Sequence, residues 1–425
     1  MASTLTVAVT GQSLIRHDLR DVLDHRFQEV IRLIQAADIA FTNFESAIYG
    51  RHGGWPLKGA YFGCAPPSVM AALKHVGFNA LSLANNHAFD LGPSGVLSTI
   101  EEAAAEDFLY AGVGLNRRDA AGVGEKQLGL WKVGLSAMDA GPGPAFMYAD
   151  DDGNARPPRP GVNRLDVSRI FELEMPAFDR LQELQRSLKS TALERANYAQ
   201  PNDVPVLNGT HEIDFYGTVF RRSDRTAKKI LVEARSADIQ LDAIRKAAAG
   251  GSFVIAYLHH HHWEPDWHEA PEWVRNFAHH CIDAGARMFV SHGAPVLQGI
   301  EIYRRAPIFY GLGNFIFHTD DDEKEWSPRA VWESVIASCA FDTNFELLGI
   351  DLTPIIVGGI DALENPRCTR LPFPVPAPGE AAHRILDGLA LRCELFGTEL
   401  VCRGALGTIL PGRRRDDADW LRASD

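Results

Sequence analysis

The sequence lacks any uninterrupted apolar run of about 18 residues, the length that a membrane-spanning helix needs. Its first residues, MASTLTVAVTGQSLIRHDLR, carry no basic segment ahead of a long apolar stretch, so no secretory leader is read there. Cysteine is scarce: Cys64, Cys281, Cys339, Cys368, Cys393 and Cys402 are scattered without a CxxC spacing. That pattern argues against a disulfide framework or a zinc knuckle and places reduced thiols in the cytoplasm. An excess of positive charge is also missing. The formal net charge of −13 disfavours nucleic acid or an anionic membrane as the main partner. No internal repeat interrupts the chain. The 46% hydrophobic and 23% charged residues suit an ordinary globular protein, and 425 residues suffice for one large, elaborated α/β domain.

Short apolar runs alternate with amphipathic stretches. Strands are expected at Leu5–Val9, Asp38–Phe44, Asn79–Ala84, Ser252–Leu258, Arg287–Ser291 and Pro307–Tyr310. Helices are expected at Val22–Ala36, Ser68–His75, Pro93–Glu106, Asp238–Ala249, Pro271–Ala284 and Gly379–Phe396. Strand-then-helix alternation at this spacing implies a largely parallel sheet, or a sandwich of sheets flanked by helices. Between about 150 and 235 the rhythm breaks. DDDGNARPPRP is a charged, proline-rich loop, Phe171–Ala196 reads as a long surface helix, and EIDFYGTVFR alternates like a hairpin. The interval reads as an insertion or cap on a single domain spanning 1–410, with 411–425 a polar tail.

Five strand ends run straight into polar side chains. They are VAVTGQS with Gln12, IAFTNFES with Asn43 and Glu45, LSLANNHAFD with Asn85, Asn86, His87 and Asp90, VIAYLHHHHWE with His259 to Glu264, and MFVSHG with His292. Ligands bind at the carboxyl ends of parallel strands, and carboxylate, amide and imidazole together suit a divalent transition ion. On an extended segment successive side chains alternate, so His259 and His261 share one side and His260 and His262 the other. At most two of the four can face one centre without a turn. Asp90 is placed either to hold a histidine ring or to start the helix near Pro93. Trp55, Trp263, Trp267 and Trp273 fall in or near loops expected around the mouth of the site, where they would line a pocket.

The stretches ADIAFTNFESAI, FNALSLANNHAFDLG, YAGVGLNRRDA, the strand into HHHHWEP, and IDAGARMFVSHGAPVLQGIEIYRRAPIFYGLGNFIF resemble the poly-γ-glutamate capsule-synthesis (CapA-type) family. The resemblance runs from about 5 to about 400, apart from the interval near 150 to 235. It implies a metallophosphatase-like α/β fold, a β-sandwich flanked by helices with metals held at strand ends. Carried onto this sequence, it makes Glu45 the central carboxylate, Asn86 a metal ligand, His87 the acid–base histidine, and His259 or His260 the ligand imidazole. His292 is close enough in sequence to serve as a ligand or base, and Asp90 joins the catalytic set. Gln12, Asn43, His261, His262, Trp263, Glu264 and Asn314 are the candidates for substrate contact.

Two departures from the family pattern matter. Its Gly-Asp after the first strand is here Gly11-Gln12, and its His-Pro-His is here Gly293-Ala294-Pro295. An amide is a poor replacement for an anionic ligand. The expectation is therefore one divalent ion per chain (Zn, Mn or Fe) rather than a pair. A lone ion suits hydrolysis of an amide, peptide or related small organic substrate. Proton abstraction next to a carbonyl, as in the peptide epimerases of this family, is the second expectation. A non-catalytic binding protein of capsule or polyglutamate metabolism is the third.

Overall fold

The apolar runs of the N-terminal part become four parallel strands, β1 (Leu5–Val9), β2 (Ile39–Asn43), β3 (Ala80–Ser82) and β4 (Leu109–Ala111), each pairing with the next. The structure is a computed structural model that describes residues 4–58, 63–151, 157–188, 211–215, 217–318, 328–358 and 373–412. Strands covered on both faces read as nearly continuous apolar runs, which is how these four appear in the sequence. Helices carry the chain between them. His25–Gln35 buries Phe27, Val30, Ile31 and Ile34 along one stripe, and the Asp24 carboxylate caps it by accepting from the Arg26 N–H. Gly92–Ala105 starts with Pro93 in its first turn, where a missing N–H costs nothing.

A second sheet contains β5 (Gly124–Leu128), β6 (Trp131–Asp139), β7 (Phe253–His259), β8 (Met288–His292), β9 (Ile300–Tyr303) and β10 (Ala306–Phe309), in the order β9-β10-β8-β7-β6-β5. Its four central strands, β6, β7, β8 and β10, are parallel. Beyond them the first sheet is extended by β11 (Glu333–Phe341), antiparallel to β1, and by β12 (Leu347–Ile356), antiparallel to β11. Both sheets contribute to one core. Phe41 of β2 meets Tyr257 of β7 with ring centroids 5.5 Å apart, and Phe253 of β7 meets Phe341 of β11 at 4.9 Å.

This body, residues 1–164 with 238–425, is one of two compact units; residues 165–237 form the other. The smaller unit overlaps the interval in which the sequence rhythm breaks. It contains a four-stranded sheet, with Glu212–Phe215 and Thr218–Ser223 as the hairpin expected from EIDFYGTVFR. The long helix expected at Phe171–Ala196 is corrected. Residues Val167–Glu174 are a strand, the helix covers Met175–Ser187, and 189–196 lie outside the described residues. VSRIFELE alternates apolar and polar with β-branched and aromatic members, and Pro176 then fits the first helical turn. Within this unit the buried Glu212 pairs with Arg221 at 2.6 Å and Glu172 with Lys229 at 2.8 Å. Cys64, Cys281, Cys339, Cys393 and Cys402 are free thiols, whereas Cys368 and most of the 411–425 tail lie outside the described residues. Among the described residues no helix is long and apolar enough to cross a membrane.

Two glycines fix how the strands end. A side chain on Gly11 would stand 2.6 Å from the Gly313 carbonyl, so the exit of β1 lies directly against the GLGN segment. Gly293, immediately after β8, has φ +137°, and a Cβ there would lie 1.8 Å from the His260 carbonyl oxygen. The backbone of the histidine run therefore occupies the space a side chain at 293 would need. Gly293→Ala is expected to destabilise the protein by roughly 2–4 kcal/mol. Gly379→Ala, with open space and no positive φ, should stay within about 0.5 kcal/mol. Thermal denaturation of the two variants measures the difference.

Candidate metal centre and active-site cleft

The carboxyl ends of β1, β2, β3, β7 and β8 feed one cavity of about 410 Å³, whose polar lining includes Gln12, Glu45, Lys58, Asn86, His87, His261 and Asn314. The turn after β3 shows how the sequence aims these groups. Asn85, fully buried, donates to Asn43 Oδ1 (3.1 Å) and to the Phe44 carbonyl (2.7 Å), and its own Oδ1 accepts from the His87 N–H at 3.0 Å. That lock leaves the next two residues, Asn86 and His87, on the cavity wall. His87 Nδ1 lies 2.7 Å from Asp90 Oδ2, which also accepts from the Gly63 N–H at 2.6 Å. With Asp90 on Nδ1, the neutral His87 ring keeps its lone pair on Nε2. Lys58 closes the group, donating to the Asn86 carbonyl at 2.6 Å and standing 3.2 Å from Asp90 Oδ1.

Next to this turn, one ligand atom from each of Glu45, His259 and His261 lies within 4.8 Å of the others. His259 Nε2 is 3.6 Å from Glu45 Oε1 and 3.0 Å from Asn86 Oδ1, which brings a fourth donor to the same place. Burial holds the Glu45 carboxyl up at about 8, with the Asp139 and Asp90 carboxyls adding to the shift and Lys58 opposing it. Burial also pushes His261 down to about 3, assisted by His87 and Lys58, and drives His259 well below its ordinary value. His87 is lowered by burial, with the Asp90 hydrogen bond working against the shift. Glu45 Oε2 and His261 Nε2 are buried and have no hydrogen-bond partner among the described residues. Orphaned buried acceptors are costly, and a divalent cation would satisfy both atoms. The donor set of carboxylate, two imidazoles and an amide oxygen fits such an ion.

The histidine run splits by alternation. His259 and His261 face Glu45. His260, named above as a candidate ligand, is corrected: it points to the opposite side and packs edge-on against Trp273 at 5.1 Å. His262 follows it, with its ring 6.1 Å from Trp273 and Nε2 3.1 Å from the Ala140 carbonyl, so it is not a cavity residue. His292 is corrected as well. In register with His259 across β7 and β8, it is buried against Tyr257 (5.6 Å) and lines neither the cavity nor the three-residue cluster. Burial holds its ring down at about 3, opposed by an interaction with the Thr10 backbone.

Asn43 supports Asn85 rather than facing the cavity, and Glu264 does not line it. Trp263 and Trp267 form an aromatic wall, their rings 5.4 Å apart, whereas Trp55 is 81% exposed and away from the cavity. At the exit of β1, Gln12 Nε2 donates to Asn314 Oδ1 at 3.1 Å, and Asn314 Nδ2 donates to the Val331 carbonyl at 3.1 Å. That side, with Gly293 and Pro295, offers amides and no carboxylate; Glu45 is the single carboxylate among the described lining residues.

Sequence reasoning missed Lys58 and Asp139. Nothing around Lys58 marks it, because its position depends on a loop folding back onto the Asn-Asn-His turn. Asp139 ends β6 in register with His259, and the run VGLSAMDA carries the signal used for the other strand ends. Burial raises its carboxyl to about 6, opposed by hydrogen bonds from the Tyr148 hydroxyl and the Gly141 N–H.

The family described as bacterial capsule synthesis protein, PGA_cap, matches residues 6–319. The protein y4sH of Sinorhizobium fredii is 28% identical over 446 residues, covering 95% of this chain and 92% of its own length. The PGA biosynthesis protein CapA of Bacillus subtilis is 24% identical, over 69% of this chain and 57% of its own length. The capsule biosynthesis protein CapA of Bacillus anthracis is 22% identical, over 74% and 60%.

Two outcomes follow from the donor geometry. His261→Ala is expected to weaken Zn²⁺ or Mn²⁺ binding by at least about tenfold, whereas His260→Ala keeps the metal stoichiometry even where it lowers stability; metal analysis after dialysis reads both. Because Glu45 ionises only near 8 without an ion while the histidines are already neutral, metal binding at pH 7 should release about one proton. The release should fade towards pH 9, where Glu45 is already ionised. Calorimetry in buffers of different ionisation enthalpy measures it.

Proposed function

Since this chain belongs to the bacterial capsule synthesis protein family, we propose that it is a metal-dependent hydrolase acting on an amide, peptide or related small organic substrate. In this reading Glu45, His259, His261 and Asn86 hold one divalent ion. The observation that carries it is the convergence of Glu45, His259 and His261, side chains able to hold a metal ion, at the wall of the cavity that His87, its ring fixed by a carboxylate, also lines. A bound divalent ion supplies Lewis acidity, polarising a carbonyl and making water a better nucleophile.

The chain's own residues supply the remainder. His87 presents Nε2 to the cavity, where a neutral ring takes a proton from the attacking water and, once charged, returns it to the leaving amine. Asp90 fixes the tautomer and stabilises the imidazolium, and Lys58 and the Gly63 N–H hold Asp90 in place. Trp263, its ring 4.8 Å from that of His261, and Trp267 give the cavity an apolar wall beside the cluster. The amide pair Gln12–Asn314 supports one ion rather than two, because that side provides no anionic ligand. The same neutral, cavity-facing His87 also suits removal of a proton next to a carbonyl, so an epimerase is the second reading.

Hydrolysis of small peptide amides by the metal-loaded protein, followed by liquid chromatography, is the test. His87→Ala should lower kcat by about 10²-fold or more with the metal content unchanged. Exchange of the substrate Cα hydrogen in D₂O without bond cleavage would select the epimerase, and neither cleavage nor exchange across the peptide panel would refute both.

A further inference from the structure

Immediately after Asp139 the chain reads AGPGPAFM, a loop with no part in the main cavity. It is nevertheless tied to the histidine run at three points. The Ala140 N–H donates to the His259 carbonyl at 2.8 Å, the His261 N–H donates to the Gly141 carbonyl at 2.7 Å, and His262 Nε2 lies 3.1 Å from the Ala140 carbonyl. From the other side Asp139 Oδ2 accepts from the Gly141 N–H and the Tyr148 hydroxyl, at 3.1 and 2.9 Å. Pro142 and Pro144 restrict the loop further by fixing φ.

Held in this way, the loop lines a second cavity of about 270 Å³ together with Leu57 and Phe89. The Phe89 and Phe146 rings stand 6.1 Å apart in its wall, with Met147 alongside. The second cavity and the main one share Lys58 and Asn86, and Asp90 belongs to its lining, so the His87–Asp90 pair stands where the two meet. The charged groups on the lobe are Lys58 and Asp90, paired with each other at 3.2 Å. Leu57 and Phe146 are 48% and 51% exposed, apolar surface that a ligand would cover. A concave, preorganised apolar lobe beside a polar reacting centre is the arrangement of a specificity pocket.

We propose that this lobe is a subsite for an aromatic or branched aliphatic group next to the reacting carbonyl. The substrate class is then a hydrophobic acyl or peptide amide, not a glutamate-like polyanion. The inference rests on the hydrolase reading only for the choice of peptide probes. N-acetyl-phenylalanyl-glycine amide, N-acetyl-glutamyl-glycine amide and N-acetyl-glycyl-glycine amide are titrated calorimetrically against the full chain, once with EDTA and once with Zn²⁺. The phenylalanyl peptide is expected to bind at least about tenfold tighter than the glycyl one, and the glutamyl peptide no tighter than the glycyl one. Phe146→Ala and Leu57→Ala should each reduce the phenylalanyl-to-glycyl ratio below about threefold, with melting temperatures within about 2 °C of the parent. Equal affinities, no binding of the phenylalanyl peptide, or a preference that both variants retain would overturn the proposal. If none of the three peptides is hydrolysed while the ratio and its loss in the variants persist, the hydrolase reading fails and the subsite stands.

Discussion

Burial of the Glu45 carboxyl beside neutral imidazoles is the constraint on which the rest of the site depends. An ionised carboxylate in the interior costs several kcal/mol unless a cation and hydrogen bonds compensate it, and Glu45 Oε2 has no partner among the described residues. Lys58, whose charge does reach Glu45, spends its hydrogen bonds on Asp90 and on the Asn86 carbonyl. Glu45, pushed up to about 8 by burial, is therefore either protonated near neutral pH or compensated by a cation bound between it and His259, His261 and Asn86. The same low-dielectric setting keeps His259 and His261 neutral, which is the form that binds metal.

The histidine run divides its work between side chains and backbone. His259 and His261 face the carboxylate, while His260 and His262 brace the run against Trp273. Its backbone holds the Gly141-Pro142 loop on one side and fills the space above Gly293 on the other. A histidine at position 293 would collide with the His260 carbonyl, so the run and the glycine belong to one arrangement. The volume beside position 293 is taken by a neighbouring backbone, and the amide pair Gln12–Asn314 borders the cavity without charge.

Much of this was legible in the residues. Apolar runs ending in Gln12, Glu45, Asn86 and His87, and His259 marked strand ends that come together in the fold, because a parallel α/β sheet leaves its carboxyl ends open. Strand alternation alone separated His259 and His261 from His260 and His262. Asp139 was equally readable, since β6 ends on it in the same manner, and only its single carboxylate without a neighbouring amide or histidine hid it. The Phe171–Ala196 stretch was misread because VSRIFELE and the following MPAFDRLQEL carry different periods that merge in a single helical reading.

The sequence by itself determined the α/β class, the family, and the side chains that gather at the strand ends, because these follow from local periodicity and short motifs. Only the tertiary structure decided that His292 turns into the sheet against Tyr257, that Lys58 reaches Asp90 across 32 positions, and that the AGPGPAFM loop opens a second, apolar lobe beside the first cavity. Those outcomes depend on which segments pack against which, and no spacing within a single strand or loop encodes the loop that closes over it.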